Sequence, residues 1–212
     1  LKKHIELMVN QGVLEEINSS EGCFISPAHI VLERRYIAST KETITKSRFV
    51  VDMRNLNSCL ADYVFPLPLT EVFRRELACG YSCFSCDDGS NLFHQVPISG
   101  STSRLCCVFA LGKLWAYRRL SMGLSSSPSV ISGIGSRMFE CHPNTKQYLD
   151  DWTIRSKSVK EHLRRDLPRF MAIISFYRII LKGAKSDLLV DSAPVLGHEI
   201  GSSSLALTAE KM

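Results

Sequence analysis

The chain has 212 residues, 45% of them hydrophobic, and carries a formal net charge of +5. A chain of this length can bury a real core, and one or two subdomains are expected. The mild positive charge fits a polyanionic partner without requiring one. No uncharged apolar run reaches the roughly 18 residues that a membrane-spanning helix needs, so we expect no membrane association. Eight cysteines stand in apolar surroundings without the spacing of a disulfide framework, which predicts free thiols in a reducing compartment.

The first third of the chain predicts a helix, a hairpin and a second helix. "LKKHIELMVNQG" has helical spacing and ends at Gly12, and because Leu1 is not an initiator methionine we expect the sequence to be cut from something longer. "HIVLERRY" and "SRFVVDMR" predict two strands joined by the polar link "IASTKETITK". Prolines exclude a helix before Thr70, which can cap a helix that ends at Gly80.

The remainder alternates irregularly between strands and helices. "YSCFSCDDGSNLFHQVPI" predicts a strand that turns at Asp88–Gly89, and "RLCCVFAL" and "LWAYRRL" flank Gly112 as a hairpin. "SSSPSVISGIGSRMF" predicts a helix with Ser127 as its N-cap, and "SVKEHLRRDLPRFMAIISFYR" a helix bent at Pro168. "KQYLDDWTI" predicts a short hairpin, and "PVLGHEI" a final strand. Antiparallel hairpins mixed with helices predict an α+β fold, not a doubly wound parallel sheet.

Two adjacent aspartates, Asp150 and Asp151, interrupt the apolar hairpin "KQYLDDWTI" at or near its tip. Adjacent carboxylates are costly unless a cation neutralises them, and hard oxygen ligands suit magnesium or manganese. Metal-assisted phosphoryl transfer needs a further carboxylate from elsewhere, which "FSCDDGSN" offers at the end of another strand. The alternative is that both aspartate pairs are solvated turn residues, and this chemistry alone leaves that alternative open.

Six motifs, in order along nearly the whole chain, carry a resemblance to a known family. They are "RFVVDMRNLN", "FPLP", "FSCDDGSNLFHQVPI", "LSMGLSSSP", "YLDD" and the group "EHL", "ILKGAKSDL" and "VLGHEI". Together they resemble the reverse transcriptase domain of gypsy-type LTR retrotransposons. "YLDD" is weak alone, whereas the full series in one order is specific.

The resemblance implies the α+β fold of a right-hand polymerase. Residues 1–60 would belong to the fingers and residues 61–212 to the palm, with fingers strands returning near residues 100–117. The chain is expected to be a single reverse transcriptase domain fragment that lacks the thumb. The implied function is RNA-directed DNA polymerase activity from a retroelement polyprotein. Implied partners are an RNA or DNA template with a primer, deoxynucleoside triphosphates, and the rest of the polyprotein with its thumb and RNase H.

The resemblance also implies the catalytic residues. Counting back from "FHQ", the family's first aspartate falls on Asp88 and not on Asp87, where the pattern usually has an apolar residue. Asp88, Asp150 and Asp151 would then bind two Mg²⁺ or Mn²⁺ ions. Lys185 matches the lysine proposed in this family to protonate pyrophosphate, with Lys182 as the close alternative.

The nucleotide-binding residues implied by the resemblance come from several elements. Arg48 matches the triphosphate-binding arginine, and Arg34 or Arg35 would supply a second cation from the facing strand. Phe93 falls on the residue that contacts the incoming sugar. The remaining expected nucleotide contacts are Asn91 and, near the nascent base pair, Gly123.

Three departures from the pattern keep a second interpretation open. Asp87 adds a charge, Leu92 replaces a glycine, and Ser121 replaces a proline. None of them removes a metal ligand. The competing hypothesis is a catalytically inactive retroelement fragment that at most binds nucleic acid.

Overall fold

The structure is a computed structural model that describes residues 1–37, 42–67, 69–78, 80–201 and 205–207. The helical segments are α1 (Lys2–Asn10), α2 (Arg54–Asn57), α3 (Thr70–Ala78), a first 3₁₀ turn (Leu92–Gln95), α4 (Gly100–Leu105), α5 (Ser127–Met138), α6 (Val159–Glu161), a π-helical segment (His162–Asp166), α7 (Leu167–Phe176) and a second 3₁₀ turn (Gly183–Lys185). The strands are β1 (Leu14–Ile17), β2 (Ile25–Ile37), β3 (Glu42–Val51), β4 (Cys83–Asp88), β5 (Cys107–Ala110), β6 (Lys113–Tyr117), β7 (Thr145–Tyr148), β8 (Asp151–Ser156), β9 (Asp187–Val190), β10 (Ser192–Val195), β11 (His198–Gly201) and β12 (Leu205–Leu207). None of the described helices is long and apolar enough to cross a membrane.

The chain folds as two compact units. The first comprises Leu1–Asp62 and Phe93–Ser127, and the second comprises Tyr63–Leu92 and Pro128–Met212. The first unit holds a sheet of order β1-β6-β5-β2-β3, and the second holds sheets of order β7-β8-β4-β9 and β10-β11-β12. Helices accompany sheets whose pairings are antiparallel apart from the parallel β2–β5 pair. The predicted α+β class is confirmed.

In the first unit, the predicted hairpin of β2 and β3 is present but longer than the sequence suggested. Its antiparallel register runs from Ala28 opposite Val51 to Ile37 opposite Glu42. The segment interpreted as a polar link therefore continues the strands on both sides, while residues 38–41 lie outside the described part. Alternating threonine and isoleucine at positions 43–45 favours an extended strand, since β-branched residues fit a pleated surface.

In the second unit, the two faces of β4 have different surroundings because side chains alternate along a strand. Phe84 lies on the face that contributes to a hydrophobic core, with Cys86 partly buried against it. The other buried members of this core are Phe73, Leu77, Ala193, Val195 and Ile200. Ser85 and Asp87 point to the opposite face, where they form hydrogen bonds with His162 and Ser186, respectively.

Pro168 does not simply bend the predicted long helix. The structure instead interrupts it with the π-helical segment His162–Asp166, and α7 begins at Leu167 with Pro168 in its first turn. Proline lacks an N–H group and is tolerated at a helix start. The π turn just before Pro168 breaks the regular i→i−4 bonding, and this accommodates a residue that lacks an N–H group.

Two further predictions are wrong in detail, and one helix was not predicted. "PVLGHEI" forms two strands, β10 and β11, because the backbone turns through left-handed φ values of 51° at Leu196 and 76° at Gly197. Helix α4 was not predicted, since its serine- and glycine-rich sequence has low helix propensity, yet Ser99 caps it by accepting a bond from the Thr102 N–H. Ser127 is the first residue of α5 and not the residue before it, and its hydroxyl donates to the Ser121 carbonyl at 2.5 Å.

A buried polar cluster crosses the second unit beneath the central sheet. It consists of Ser85, Asn144, Ser156, His162 and Asp166, and we call it the buried cluster. The Ser156 hydroxyl donates to Asp166 Oδ2 at 2.6 Å, and Asn144 donates to Oδ1 at 3.1 Å. The His162 ring lies 2.9 Å from the Ser156 hydroxyl and 2.8 Å from that of Ser85. Since the single Ser156 proton goes to Asp166, His162 Nδ1 donates to Ser156 and Nε2 accepts from Ser85.

The cysteines of the described residues are all free thiols in very different surroundings. Burial raises the pKa of Cys106 to about 11 and is the main cause that raises the pKa of Cys86 and Cys107 to about 12. Cys59 and Cys141, in contrast, are exposed.

Candidate active site

Three aspartates of the second unit meet where β4 ends and where β7 turns into β8. Asp88, the last residue of β4, is paired across the sheet with Asp151, the first residue of β8. The N–H of Gly89 donates to the carbonyl of Asp150 at 2.8 Å, which ties the hairpin turn to the end of β4. The predicted hairpin is confirmed, with Leu149 and Asp150 between its strands.

The turn that carries Asp150 has an unusual backbone. Leu149 has a left-handed φ of 55°, a conformation that is uncommon for residues other than glycine, asparagine and aspartate. The side-chain amide of Gln147 donates to the Leu149 carbonyl at 2.5 Å and so supports the turn. A tight turn held from both strands places two consecutive carboxylates at one end of the sheet.

The electrostatics of Asp151 reflect its acidic surroundings. The side chain reaches the surface, yet desolvation by neighbouring protein raises its pKa above the ordinary value, and the charges of Asp150 and Asp88 raise it further. Lys185 and Lys182 act in the opposite direction. The three carboxylates therefore interact through their charges, as expected of a site that binds cations.

Asp88 is held by two lysines. Its side chain is only 13% exposed, and it accepts bonds from Lys182 Nζ at 3.0 and 3.2 Å and from Lys185 Nζ at 3.0 Å. Burial alone would raise the pKa of Asp88, but these hydrogen bonds and the lysine charges outweigh burial and hold the pKa below its ordinary value. Asp88 is thus ionised and partnered by cations.

Asp87 has a different environment from its neighbour. It is buried, and its Oδ1 accepts a bond of 2.6 Å from the hydroxyl of Ser186. Burial raises the pKa of Asp87, although the Ser186 bond acts against this. Of the two adjacent aspartates, Asp88 is the one beside the lysines and opposite Asp151.

Gly89 is required for packing next to the site. A Cβ atom at this position would lie 3.0 Å from Leu92 Cβ and 3.1 Å from the Trp152 ring, closer than ordinary contacts allow. Trp152 itself is buried and stacks edge-on against Phe170. The absence of a side chain at Gly89 thus lets the indole ring support the backbone that follows Asp88.

The donor chemistry of the site suits a divalent cation. Carboxylate oxygens are the hard ligands that Mg²⁺ and Mn²⁺ prefer, and Asp88 already attracts two ammonium groups. Within the described ranges, however, no three His, Cys, Asp or Glu side chains are grouped closely enough to hold a metal ion. In the arrangement described, the Lys182 ammonium lies where a cation bound by both oxygens of Asp88 would lie.

The predicted triphosphate-binding arginines lie on the β2–β3 hairpin of the first unit. Arg48 is exposed and forms an ion pair of 2.8 Å with Glu33. Exposed ion pairs contribute little stability, so the contact with Glu33 holds the Arg48 guanidinium only weakly. Arg34 is exposed on β2, whereas the side chain of Arg35 lies outside the part of the structure that is described.

The other predicted nucleotide contacts lie on turns. Phe93 is half-buried in the first 3₁₀ turn, and Asn91 precedes that turn with a left-handed φ of 47°. Gly123 approaches the backbone of β3 closely, because a Cβ atom there would lie 3.3 Å from the Val51 carbonyl oxygen. Its own carbonyl accepts a bond of 3.0 Å from Asn57.

Sequence reasoning missed two contacts around Asp88. It treated Lys182 only as a rival for the role of Lys185, whereas the structure bonds both lysines to Asp88. It also gave no partner to Asp87, which binds Ser186. Both contacts join residues more than 90 positions apart, and no local pattern reveals such pairs.

Comparison with known proteins defines the class. The family described as "Reverse transcriptase (RNA-dependent DNA polymerase)" matches residues 39–200. The chain belongs to this family, and the predicted resemblance is confirmed. Reverse transcriptases generally use divalent metal ions, in agreement with the acidic site.

Particular relatives extend this picture. The chain is 22% identical, over 201 residues, to the "Retrovirus-related Pol polyprotein from transposon 412" of Drosophila melanogaster, covering 94% of this chain but 16% of that protein. It is thus similar to one part of a retroelement polyprotein. The fold is similar to the foamy viral protease–reverse transcriptase dRH in complex with ds DNA, with a TM-score of 0.78, 23% identity, and coverage of 96% of this chain and 33% of that one. For the foamy viral protease–reverse transcriptase in complex with RNA/DNA hybrid, the TM-score is 0.74 at 23% identity, with coverage of 97% and 26%.

Proposed function

We propose that this chain is the polymerase core of a retroelement reverse transcriptase, which extends a primer with deoxynucleotides by two-metal phosphoryl transfer. One observation carries the proposal: Asp88, Asp150 and Asp151 converge at the end of β4 and the β7–β8 turn in a chain of this family. Strand pairing places Asp88 opposite Asp151 and joins Gly89 to Asp150, so three aspartates from two distant segments lie at one end of the sheet.

We also propose which parts of the chain correspond to the fingers and the palm of a polymerase. Residues 1–60 form the fingers part and residues 61–212 the palm, with fingers strands returning near residues 100–117. The parallel pairing of β2 with β5 supports this return, because it brings residues 107–109 into the sheet that contains the β2–β3 hairpin. The aspartates would then belong to the palm and Arg48 to the fingers.

The carboxylates of Asp88, Asp150 and Asp151 would hold two Mg²⁺ or Mn²⁺ ions. Bound ions would supply Lewis-acid chemistry that activates the primer 3′-hydroxyl and neutralises the triphosphate. The protein contributes the backbone that carries these carboxylates at the end of β4 and in the β7–β8 turn. Lys185 is proposed to donate a proton to the leaving pyrophosphate, and its exposure of 66% leaves the ammonium accessible to a ligand.

The proposed nucleotide-binding residues are Arg48, Arg35, Phe93 and Gly123 of the first unit, together with Asn91 of the second. Arg48 and Arg35, or Arg34 in place of Arg35, would pair with the triphosphate, since guanidinium groups bind phosphate oxygens in pairs. Asn91 and Gly123 would line the nucleotide site through exposed turn backbone. Their positions on turns are typical of binding residues presented by a rigid scaffold.

Phe93 is proposed to exclude ribonucleotides by contact with the sugar. A ring edge leaves no space for a 2′-hydroxyl and offers it no hydrogen-bond acceptor to replace water. We expect Phe93→Val to relax discrimination against ribonucleotides about tenfold or more, where each tenfold corresponds to about 1.4 kcal/mol. The measurement is the ratio of kcat/KM for matched deoxy- and ribonucleotides, and an unchanged ratio would make Phe93 an ordinary packing residue.

The proposed partners are an RNA or DNA template with its primer and the rest of the Pol polyprotein, including thumb and RNase H. The complexes of the foamy viral proteins with ds DNA and RNA/DNA hybrid support the nucleic-acid part of this proposal. The chain spans 16% of the transposon 412 polyprotein, which supports the existence of further domains in such a polyprotein.

A primer-extension assay on a homopolymer template tests the proposed activity. We expect Mg²⁺-dependent extension that is lost in Asp88→Asn and retained in Asp191→Asn, a matched control at an exposed aspartate of the same unit. Extension that ignores the Asp88 substitution would contradict the site assignment. Binding of a template–primer without any extension would favour the inactive nucleic-acid-binding fragment.

A further inference from the structure

Lys182 is fixed to Asp88 through both its backbone and its side chain. Its N–H donates to the Asp88 carbonyl at 2.8 Å, and its Nζ lies 3.0 Å from Oδ1 and 3.2 Å from Oδ2 of the same residue. The pairing continues beyond Asp88, because Gly89 and Leu181 form an antiparallel bridge. The backbone therefore sets where the Lys182 ammonium can reach.

Lys185 contacts the same carboxylate in a looser way. Its Nζ bonds only to Oδ2, at 3.0 Å, and its side chain is 66% exposed against 32% for Lys182. No backbone bond from Lys185 to Asp88 accompanies this contact among the described residues. Its place is set instead by the second 3₁₀ turn and by the neighbouring bond from Ser186 to Asp87. The two lysines thus differ in how firmly they hold Asp88.

From this difference we propose that Lys182 is a resident counter-cation of Asp88 that sets the affinity of the acidic site for divalent ions. The proposal rests on the function proposed above, because it concerns the metal site of that function. In the metal-free protein the ammonium neutralises Asp88. A divalent ion that binds Asp88 has to displace this ammonium from the two oxygens and then remains beside a positive charge, so Lys182 weakens metal binding.

The physical basis is competition for the same two oxygen atoms. A like-charge repulsion between ammonium and metal ion is strong near a carboxylate that is only 13% exposed, because screening by water is reduced there. In exchange, the Lys182 ammonium reduces the repulsion among the three carboxylates in the metal-free site. Lys182 therefore stabilises the metal-free protein and at the same time lowers its affinity for divalent ions.

The experiment is a titration of the full chain with Mn²⁺, followed by the electron paramagnetic resonance signal of free Mn²⁺. We expect Lys182→Gln to bind Mn²⁺ about tenfold more tightly than the parent, a change of about 1.4 kcal/mol. Lys182→Arg, which keeps the charge, should bind within about threefold of the parent. In an Asp88→Asn background, Lys182→Gln should change the affinity less than twofold, since the shared carboxylate is gone.

Lys146 provides a matched control. It lies in the same unit, its side chain is also 32% exposed, and it pairs with Glu76 at 2.8 Å. Lys146→Gln changes the net charge by the same amount, so it separates a general charge effect from competition at Asp88. We expect it to alter the Mn²⁺ affinity less than twofold.

Each remaining outcome decides between the proposals. If Mn²⁺ binds the parent in an Asp150-dependent manner and Lys182→Gln binds equally or more weakly, Lys182 is a purely structural lysine and the inference fails while the proposed function stands. If neither the parent nor any lysine variant shows Mn²⁺ binding that depends on Asp88 and Asp150, both fail. Should Lys182→Gln not fold, as judged by circular dichroism, Lys182→Met keeps the aliphatic stem and carries the same expectation and the same refutation.

Discussion

The second unit contains two carboxylate sites that both involve residues of β4 and β8, and they are built in opposite ways. In the buried cluster, Asp166 is 1% exposed and receives hydrogen bonds from Ser156, Asn144 and Arg165. Burial alone would raise the pKa of Asp166, but these bonds lower it to about 2. At the end of the sheet, the pKa of Asp151 is raised by desolvation and by two further carboxylates.

The difference separates a structural carboxylate from one available for binding. Asp166 has its partners within the fold, so a ligand could add little to it. Asp150 and Asp151 lie beside like charges, and their repulsion remains to be relieved by a cation from outside. A raised carboxyl pKa, as at Asp151, is typical of functional sites.

The largest expected difference between the two carboxylate sites is in the free energy of unfolding when Asp166 of the buried cluster is replaced. Asp166→Ala leaves Ser156, Asn144 and Arg165 without their common acceptor in a buried position. Removing one partner of a buried charged network costs about 3–5 kcal/mol, so we expect the free energy of unfolding to fall by that amount. Denaturant unfolding measures it, with Asp191→Ala as the exposed control; equal small losses in both variants would remove the distinction.

The next effect is on catalysis at the acidic turn. We expect Asp150→Asn to reduce primer extension more than about a hundredfold, since outer-shell changes around metals alone typically cost 10- to 100-fold. The free energy of unfolding of the metal-free protein should be unchanged or slightly higher, because a like-charge repulsion is removed. Extension assays and denaturant unfolding on the same preparation check both. Undiminished extension would show that Asp150 is not a ligand.

A third prediction concerns pH and the buried histidine. Burial lowers the pKa of His162 below its ordinary value of 6.5, although Asp166 acts against this. Below about pH 6.5 the imidazole therefore takes up a proton in the unfolded chain but not yet in the folded chain. The free energy of unfolding is at its full value above this pH and falls as the pH drops towards the lower pKa of the folded protein. We expect His162→Asn to flatten the decline in unfolding free energy between about pH 6.5 and 5. The exposed His29→Gln should keep it, and a decline identical in all three proteins would assign it elsewhere.

The smallest expected effect is the stability gained at Asp151. Asp151→Asn removes one charge from the repelling group, and surface charge pairs contribute about 0.2–1 kcal/mol. The free energy of unfolding without metal should rise by an amount in that range at pH 7. Added Mg²⁺ should stabilise the parent more than the variant. A loss of stability without metal would mean that Asp151, like Asp166, has structural partners.

The sequence predicted the fold where local patterns are strong. The β2–β3 hairpin, helix α3 and the β7–β8 hairpin follow from alternating or helical spacing and from their turn residues. Helix α4 and the separation of β10 from β11 were missed. In α4 a cap at Ser99 overrides weak propensity, and between β10 and β11 a left-handed leucine precedes glycine, which apolar content alone does not reveal. The π-helical segment before Pro168 was also missed, because the effect of a proline on a helix depends on the packing around it.

Motifs in the sequence predict which aspartates belong to the proposed site, whereas the balance of charges around them requires the structure. Motif order placed Asp88, Asp150 and Asp151, and the strand register brings Asp88 opposite Asp151. The contacts of Lys182 and Lys185 with Asp88, and of Ser186 with Asp87, come from the segment that follows the bridge between Gly89 and Leu181. That bridge joins segments far apart in the chain, so its consequences require the folded structure.

The uneven exposure of the thiols gives the protein a built-in pair of attachment points for spectroscopic probes. Cys59 belongs to the first unit and Cys141 to the second, and both are exposed. Thiol reagents react with the thiolate, so Cys86, Cys106 and Cys107, whose pKa values are about 11 to 12, would label slowly. With Cys79, which lies outside the described residues, replaced by serine, spin labels on Cys59 and Cys141 would report the distance between the units as template, primer and nucleotide are added in turn.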